Sequence, residues 1–179
     1  MEFVDGRVVV DGVVVGSAGM RWWDEADGTR LYLLTGEVEA AYQRRGYGRR
    51  ILAWQEERAR EAAVGISGTA VLGTNPVSER DLALVRAAGY EVALTRVRMT
   101  MPLVAPSEGE LPDGVELRPA SALLRANHAA LWKSGVREAS LWTVLENPTG
   151  SVALYERAGY RVVERQPRYR KPIEGRRET

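Results

Sequence analysis

The chain has 179 residues, 45% of them hydrophobic and 27% charged, with a net charge of +1 at pH 7. This is ordinary globular composition, enough for one compact domain or two small halves, and its balance excludes a general attraction to nucleic acid or anionic membranes. The absence of cysteine removes disulfides, thiolate metal sites and a cysteine-bound acyl intermediate. No run of about 18 apolar residues marks a membrane span, and Met1 to Gly16 lacks the basic start and apolar core of a secretion signal. A soluble cytoplasmic protein, without a nucleic-acid or membrane partner, is the expectation.

Two β-branched runs, Arg7 to Val10 and Val13 to Ala18, flank Asp11-Gly12, a strong two-residue hairpin signal. The second run extends toward Trp23, Glu25 to Gly28 form a polar turn, and Leu31 to Val38 make the next strand of an antiparallel meander. Arg49 to Ala63 places Ile51, Leu52, Trp54 and Ala59 at helical spacing. Ile66 to Leu72 reads as a buried strand, and Ser78 to Ala88 as a second helix stopped by Gly89. Val92 to Met101 alternates as a strand. Pro102 to Gly114, rich in proline and glycine, is the best linker candidate.

The second half repeats part of the first. Ala83-Leu84, Ala88-Gly89-Tyr90, Val92, Arg98 and Pro102 match Ala153-Leu154, Ala158-Gly159-Tyr160, Val162, Arg168 and Pro172 at a constant offset of 70. Upstream the offset is 72, with Asn75-Pro76 on Asn147-Pro148 and Ile51-Leu52 on Leu123-Leu124. This implies a partial internal duplication of helix–strand–helix–strand. The halves expected are 1–103 and 115–173, with a linker over 104–114 and a disordered tail over 174–179. Where the first copy has Gly46-Tyr47-Gly48 the second has Arg118-Pro119-Ala120, which cannot form the same cradle because Pro119 lacks an N–H. An alternative alignment makes Val115 to Arg118 a first strand, with Ser121 capping the next helix.

The densest chemistry lies in Gln43-Arg44-Arg45-Gly46-Tyr47-Gly48, between an apolar strand and a helix. Glycines let the backbone approach phosphate oxygens, and the unpaired N–H groups of a first helical turn point at the anion. Arg44, Arg45 and Arg49 add positive charge there. Val38 through Leu52 resembles the acetyl-CoA signature of the GCN5-related N-acetyltransferases (GNAT). That pattern is Gln or Arg, two free positions, Gly, one free position, then Gly or Ala, and Gln43, Gly46 and Gly48 fill it. The resemblance implies an α/β (α+β) fold with a mixed, mostly antiparallel sheet flanked by helices. It also implies an acetyl-CoA cofactor held by Gln43, Arg44, Arg45, Gly46, Tyr47, Gly48 and Arg49, with backbone at Val38 on the pantetheine arm. Ala40 stands where many members have proline.

Asn147-Pro148 through Ala158-Gly159-Tyr160 resembles the family's other signature. There the asparagine ends a strand near the cofactor, and the tyrosine, here Tyr155, often protonates the departing thiolate. Its counterpart in the first copy is Val85. The layout is similar to tandem acetyltransferases of the mycothiol synthase type, abridged.

Acyl transfer to an amine needs a free amine, a stabilised oxyanion and a proton for the thiolate. Tyr155 is the candidate acid, or else a core tyrosine on a helix. Glu37 and Glu39 share one face of their strand and are candidate bases, or else solvated acids. Glu37 is preferred because Glu39 neighbours the cationic loop, which lowers its basicity. His128, without a metal-ligand partner at fixed spacing, reads as a packed or surface residue on a helix, and no metal is expected. The five tryptophans read as core or dimer packing. Arg161, Arg165, Arg168, Arg170 and Lys171 read as a solvated, charge-protected edge strand.

The expectation is an acetyl-CoA-dependent N-acetyltransferase acting on a primary amine of a small molecule or peptide, with missing elements completed in a homodimer. The rival is a non-catalytic CoA-binding or interaction module.

Overall fold

The computed structural model describes residues 1–105 and 119–173. The linker expected over 104–114 lies, from residue 106 on, outside the described residues, as do the 174–179 tail and the alternative strand Val115 to Arg118.

The chain opens as an antiparallel meander, β1 (Glu2–Val4), β2 (Arg7–Val10), β3 (Val13–Asp24) and β4 (Arg30–Val38). Strand β1 was not anticipated. It is turned into β2 by Asp5 and Gly6, both at positive φ, the same Asp-Gly chemistry that joins β2 to β3. Helix α1 (Tyr47–Ala62) crosses over to β5 (Ala70–Thr74), which pairs parallel to β4. Strand β5 starts later than the apolar run from Ile66 suggests, because Gly65 and Gly68 both sit at positive φ and keep the approach irregular. Helix α2 (Glu79–Ala87) follows, capped by the Ser78 hydroxyl, which accepts from the Asp81 N–H. Then come β6 (Glu91–Pro102), α3 (Pro119–Lys133), β7 (Glu138–Val144), α4 (Ser151–Arg157) and β8 (Arg161–Pro172).

Contacts divide the chain into two compact units, and the first takes in the end of a strand from far along the sequence. The first comprises Met1–Ala93 with Arg168–Thr179, and the second Leu94–Pro167. In the first unit the strand order is β1-β2-β3-β4-β5-β8, and in the second β8-β6-β7. In the first unit the end of β8 pairs with β5, and it is not the simply solvated strand its arginines suggested. Tyr169 is buried, the Arg170 guanidinium donates to Glu25 at 2.6 and 2.8 Å, and Lys171 reaches Glu56. Arg170 and Lys171 are accommodated because these carboxylates meet them, while Arg161 and Arg165 are exposed.

The two units repeat one packing scheme. In the first, β5 pairs antiparallel with β8 at Leu72↔Lys171; in the second, β7 pairs antiparallel with β6 at Ala139↔Met101. Lys171 and Met101 stand 70 positions apart, the offset of the sequence repeat. One core gathers Tyr32, Leu34, Leu52, Leu72, Val85, Tyr90 and Tyr169. The other gathers Val97, Met99, Ala139 and Tyr160, with Tyr155 packed against it. A further cluster of Val8, Val15, Ala18 and Ile51 holds β2 and β3 on α1.

Trp132 packs half-buried against the second core, but the other four tryptophans do not join a core. Trp22 and Trp23 are 56% and 42% exposed, and Trp54 and Trp142 are exposed as well. Their faces are partly covered by single neighbours instead. Arg30 lies over Trp22, Arg96 over Trp142, Arg137 over Trp132, and Phe3 stacks on Trp54 at 3.8 Å.

Candidate active site

The loop between β4 and α1 is held from three sides. Gly16 lets β3 approach the end of β4, since a Cβ there would fall 2.2 Å from the Glu37 carbonyl oxygen. The Glu39 N–H donates to Val15 O at 2.9 Å, and a single 3₁₀ turn, Ala40–Tyr42, follows. Gln43 then braces the bend. Its Nε2 donates to the Val38 carbonyl at 3.1 Å, and its Oε1 accepts from Arg80 of α2. The side chain of Gln43 is thus engaged within the protein, tying the loop to β4 and α2.

Beyond Gln43 the backbone takes two left-handed steps, Arg44 at φ 64° and Gly46 at φ 83°. Such alternation turns successive N–H groups toward one side and makes an anion-binding concavity. Among the described residues, no acceptor meets the N–H groups of residues 44–49. Gly46 is the N-cap of α1 without a side-chain cap, so the positive end of the helix faces solvent with its donors unspent. Arg44, Arg45 and Arg49 are exposed around it, with Arg45 over the Tyr42 ring. The chemistry of this donor set fits a diphosphate.

The same end of the first unit offers an open strand edge. Strands β4 and β5 pair from Arg30↔Ala70 to Leu33↔Gly73, whereas β4 runs on to Val38. Among the described residues, Leu34 to Val38 thus have no strand partner on the β5 side; the Thr35 and Val38 carbonyls take side-chain donors, and the other backbone groups are open to an extended ligand. Gln55, buried on α1, donates to Gly19 O at 2.8 Å and Thr35 O at 2.6 Å, which pins the helix over this region. Glu37 and Glu39 are exposed and make no side-chain hydrogen bond among the described residues.

Tyr155 and Asn147 lie in the second unit. Asn147 Oδ1 accepts from the Thr149 N–H at 3.0 Å and its hydroxyl at 2.8 Å, so this side chain builds the turn into α4. Tyr155 is half-buried, its ring edge-on to Tyr160 with centroids 5.6 Å apart. Tyr160 in turn hydrogen-bonds His128 Nε2 at 2.8 Å. Burial lowers the His128 pKa; it raises that of Tyr160, with the Tyr155 charge adding to the rise. In the first unit the position matching Tyr155 is Val85, buried in the core.

Residues 2–90, which contain the loop and the open β4 edge, match the model of the Acetyltransferase (GNAT) family. The chain belongs to the GNAT superfamily. By family it is an acetyl-CoA-dependent acyltransferase, and the chemistry is acetyl transfer. Two solved structures show the same fold. A GCN5-related N-acetyltransferase from Sphaerobacter thermophilus has 18% identity and a TM-score of 0.62, over 92% of this chain and 79% of that one. Another from Anabaena variabilis has 10% identity and a TM-score of 0.67, over 94% of this chain and 62% of that one. No curated protein matches the GNAT chain by sequence. Among the described residues, no helix is long and apolar enough to cross a membrane.

One arrangement escaped the sequence reading. Glu56, only 7% exposed, accepts from Lys171 at 3.2 Å and Arg60 at 2.9 Å, joining α1 to β8. Beside it the Tyr90 hydroxyl is buried with no hydrogen-bond partner among the described residues. Burial, then the Glu56 charge, raises the Tyr90 pKa. The groove between α1 and α2, about 400 Å³, includes Arg49, Glu56 and Lys171 in its wall. Glu56 reads from the sequence as part of the solvated side of α1, and nothing local points to a lysine 115 residues away.

Proposed function

We propose that this GNAT protein transfers an acetyl group from acetyl-CoA to a primary amine. The observation that carries the reading is the run of unspent N–H donors at residues 44–49, set beside the open edge of β4. Acetyl-CoA would supply the activated thioester. The backbone of Arg44 to Arg49 would hold the diphosphate, with Arg44, Arg45 and Arg49 neutralising it, and the edge around Val38 would align the pantetheine arm. Gln43 keeps that loop in shape. Glu37, exposed on β4, is the proposed acceptor of the amine proton, directly or through water. Tyr155 is the proposed acid. Overall a C–N bond forms and a C–S bond breaks; the amine loses one proton and the thiolate gains one. Asn147 serves through its turn, which sets the start of the helix bearing Tyr155.

The test compares acetyl-CoA consumption on an amine panel for the native chain and Tyr155→Phe. The expected result is a kcat lowered about 100-fold or more, the contribution typical of a general acid, with coenzyme A affinity by calorimetry unchanged. Equal turnover by the two proteins would remove Tyr155 from the reaction.

A second reading rests on Val85. The unit that carries the loop has an aliphatic, buried residue at the acid's position, as a non-catalytic CoA-binding module would. Coenzyme A binding without turnover of any amine would favour it.

A further inference from the structure

Helices α1 and α2 pack on one face of the first unit's sheet, sharing a core with Tyr32, Leu34 and Leu72. The opposite face of β2, β3 and β4 carries neither helix. A Cβ on Gly36 would point at Ile51 Cγ2, 3.3 Å away, so its neighbours Thr35 and Glu37 project away from α1. Directly opposed residues of antiparallel strands share a face, which puts Arg7, Ser17 and Glu37 in one row across the sheet. Along β3, Gly19 and Arg21 follow Ser17 on the same side. Thr35 Oγ1 leans over Gly19, where a Cβ would fall 2.9 Å from it.

Charge distinguishes this face. Arg30, Arg60, Arg170 and Lys171 of the first unit are paired with carboxylates. Arg7 and Arg21 are exposed and form no hydrogen bond or ion pair among the described residues. The strand carboxylates on their side are Glu37 and, on the outer strand, Glu2. Two strand spacings, about 10 Å, separate Arg7 from Glu37, and Arg21 lies about 14 Å along the strand from Ser17. Val4, opposite Arg7, and Trp23, next after Arg21 on this side, are 49% and 42% exposed.

We infer that the acceptor is an acidic peptide, laid on this face with its amine at Glu37 and its carboxylates on Arg7 and Arg21. The inference rests on the reading of Glu37 as the base for the amine proton. Every group it uses belongs to the first unit, as do the cofactor loop and the open edge of β4. An extended chain advances about 3.3 Å per residue, so acidic side chains three or four residues from the amine come level with the guanidiniums. A guanidinium grips a carboxylate through two parallel N–H···O bonds, a geometry lysine cannot copy. Val4 and Trp23 offer apolar surface beyond the two cations. A basic peptide would meet only repulsion there.

The experiment measures kcat/KM for three peptide amides whose single amine is the N-terminus: Ala-Gly-Gly-Asp-Glu-Gly, Ala-Gly-Gly-Asn-Gln-Gly and Ala-Gly-Gly-Arg-Arg-Gly. The proteins are the native chain, Arg7→Gln, Arg21→Gln and the double variant, with urea midpoints as the control for folding. The expected result is a preference for the acidic over the neutral peptide of about fivefold or more, the scale of two exposed ion pairs, carried by KM. The basic peptide should be the poorest. The preference should shrink to within about twofold in the double variant, and in about 0.5 M NaCl, where exposed charges are screened. Equal values for acidic and neutral peptides, or a preference that survives both the double variant and salt, would overturn the inference while leaving acetyl transfer intact. If no amine is acetylated, the proposed function fails, and fluorescence anisotropy with the labelled acidic peptide decides the surface separately. Binding that disappears in the double variant supports a site for acidic peptides; no binding by the native chain refutes it.

Discussion

The Gln43 side-chain amide donates to the carbonyl of Val38, so the residue that opens the phosphate loop is fastened to the last residue of the strand before it. This bond, with the one from Arg80 to Gln43, fixes where the left-handed steps at Arg44 and Gly46 occur. Gln43→Leu keeps the size but loses both bonds. Coenzyme A affinity should fall about tenfold, the equivalent of 1.4 kcal/mol and the upper range for a positioning hydrogen bond. Unchanged affinity by calorimetry would show that the loop holds its shape alone.

The two loop glycines should separate by stability. A Cβ at Gly46 meets nothing within 4 Å, but the backbone lies at φ 83°, so Gly46→Ala costs about 1 kcal/mol of conformational strain. A Cβ at Gly48 would sit 3.4 Å from Leu84 Cδ2, an ordinary contact, so Gly48→Ala should leave the urea midpoint unmoved. Equal midpoints for the two variants would refute the assignment.

The Glu56–Lys171 pair predicts a double-mutant result. Lys171→Met leaves a buried carboxylate with Arg60 alone, at a cost of about 1–3 kcal/mol, below the full cost for a buried pair because Lys171 is partly exposed. Adding Glu56→Gln should recover most of that loss. Additive destabilisation in urea melts would mean the two side chains are not coupled.

His128 gives a pH test. Burial holds its folded pKa below the unfolded value, so the neutral form is favoured in the folded chain. Its contribution is therefore present above the ordinary histidine pKa, near 6.5, and is lost as pH falls through the lower folded value. His128→Gln should flatten the decline just below pH 6.5, leaving the steeper acid limb of the carboxylates. An unaltered profile would place the sensitivity elsewhere.

Local chemistry made most of the fold legible. Asp11-Gly12 announced its hairpin, Ser78 and Gly89 bounded α2, and Gln43 to Gly48 announced the turn into α1. Failures came where partners are distant in sequence. Arg170 and Lys171 read as solvated because their partners, Glu25 and Glu56, lie more than a hundred residues upstream. Trp22 and Trp142 read as packed residues because apolarity alone does not show that one arginine can cover a ring. Gln43 was legible as part of the site, but whether its amide touched ligand or backbone depended on a bond that only the folded turn creates.

The entry of the end of β8 into the first unit has a consequence for biosynthesis. Tyr169 enters a core whose other members lie between Tyr32 and Tyr90, and Arg168–Pro172 complete the sheet beside β5. A nascent chain that has delivered its first hundred residues still lacks that strand, so the cofactor-loop unit waits, half-built, until Arg168–Pro172 leave the ribosome.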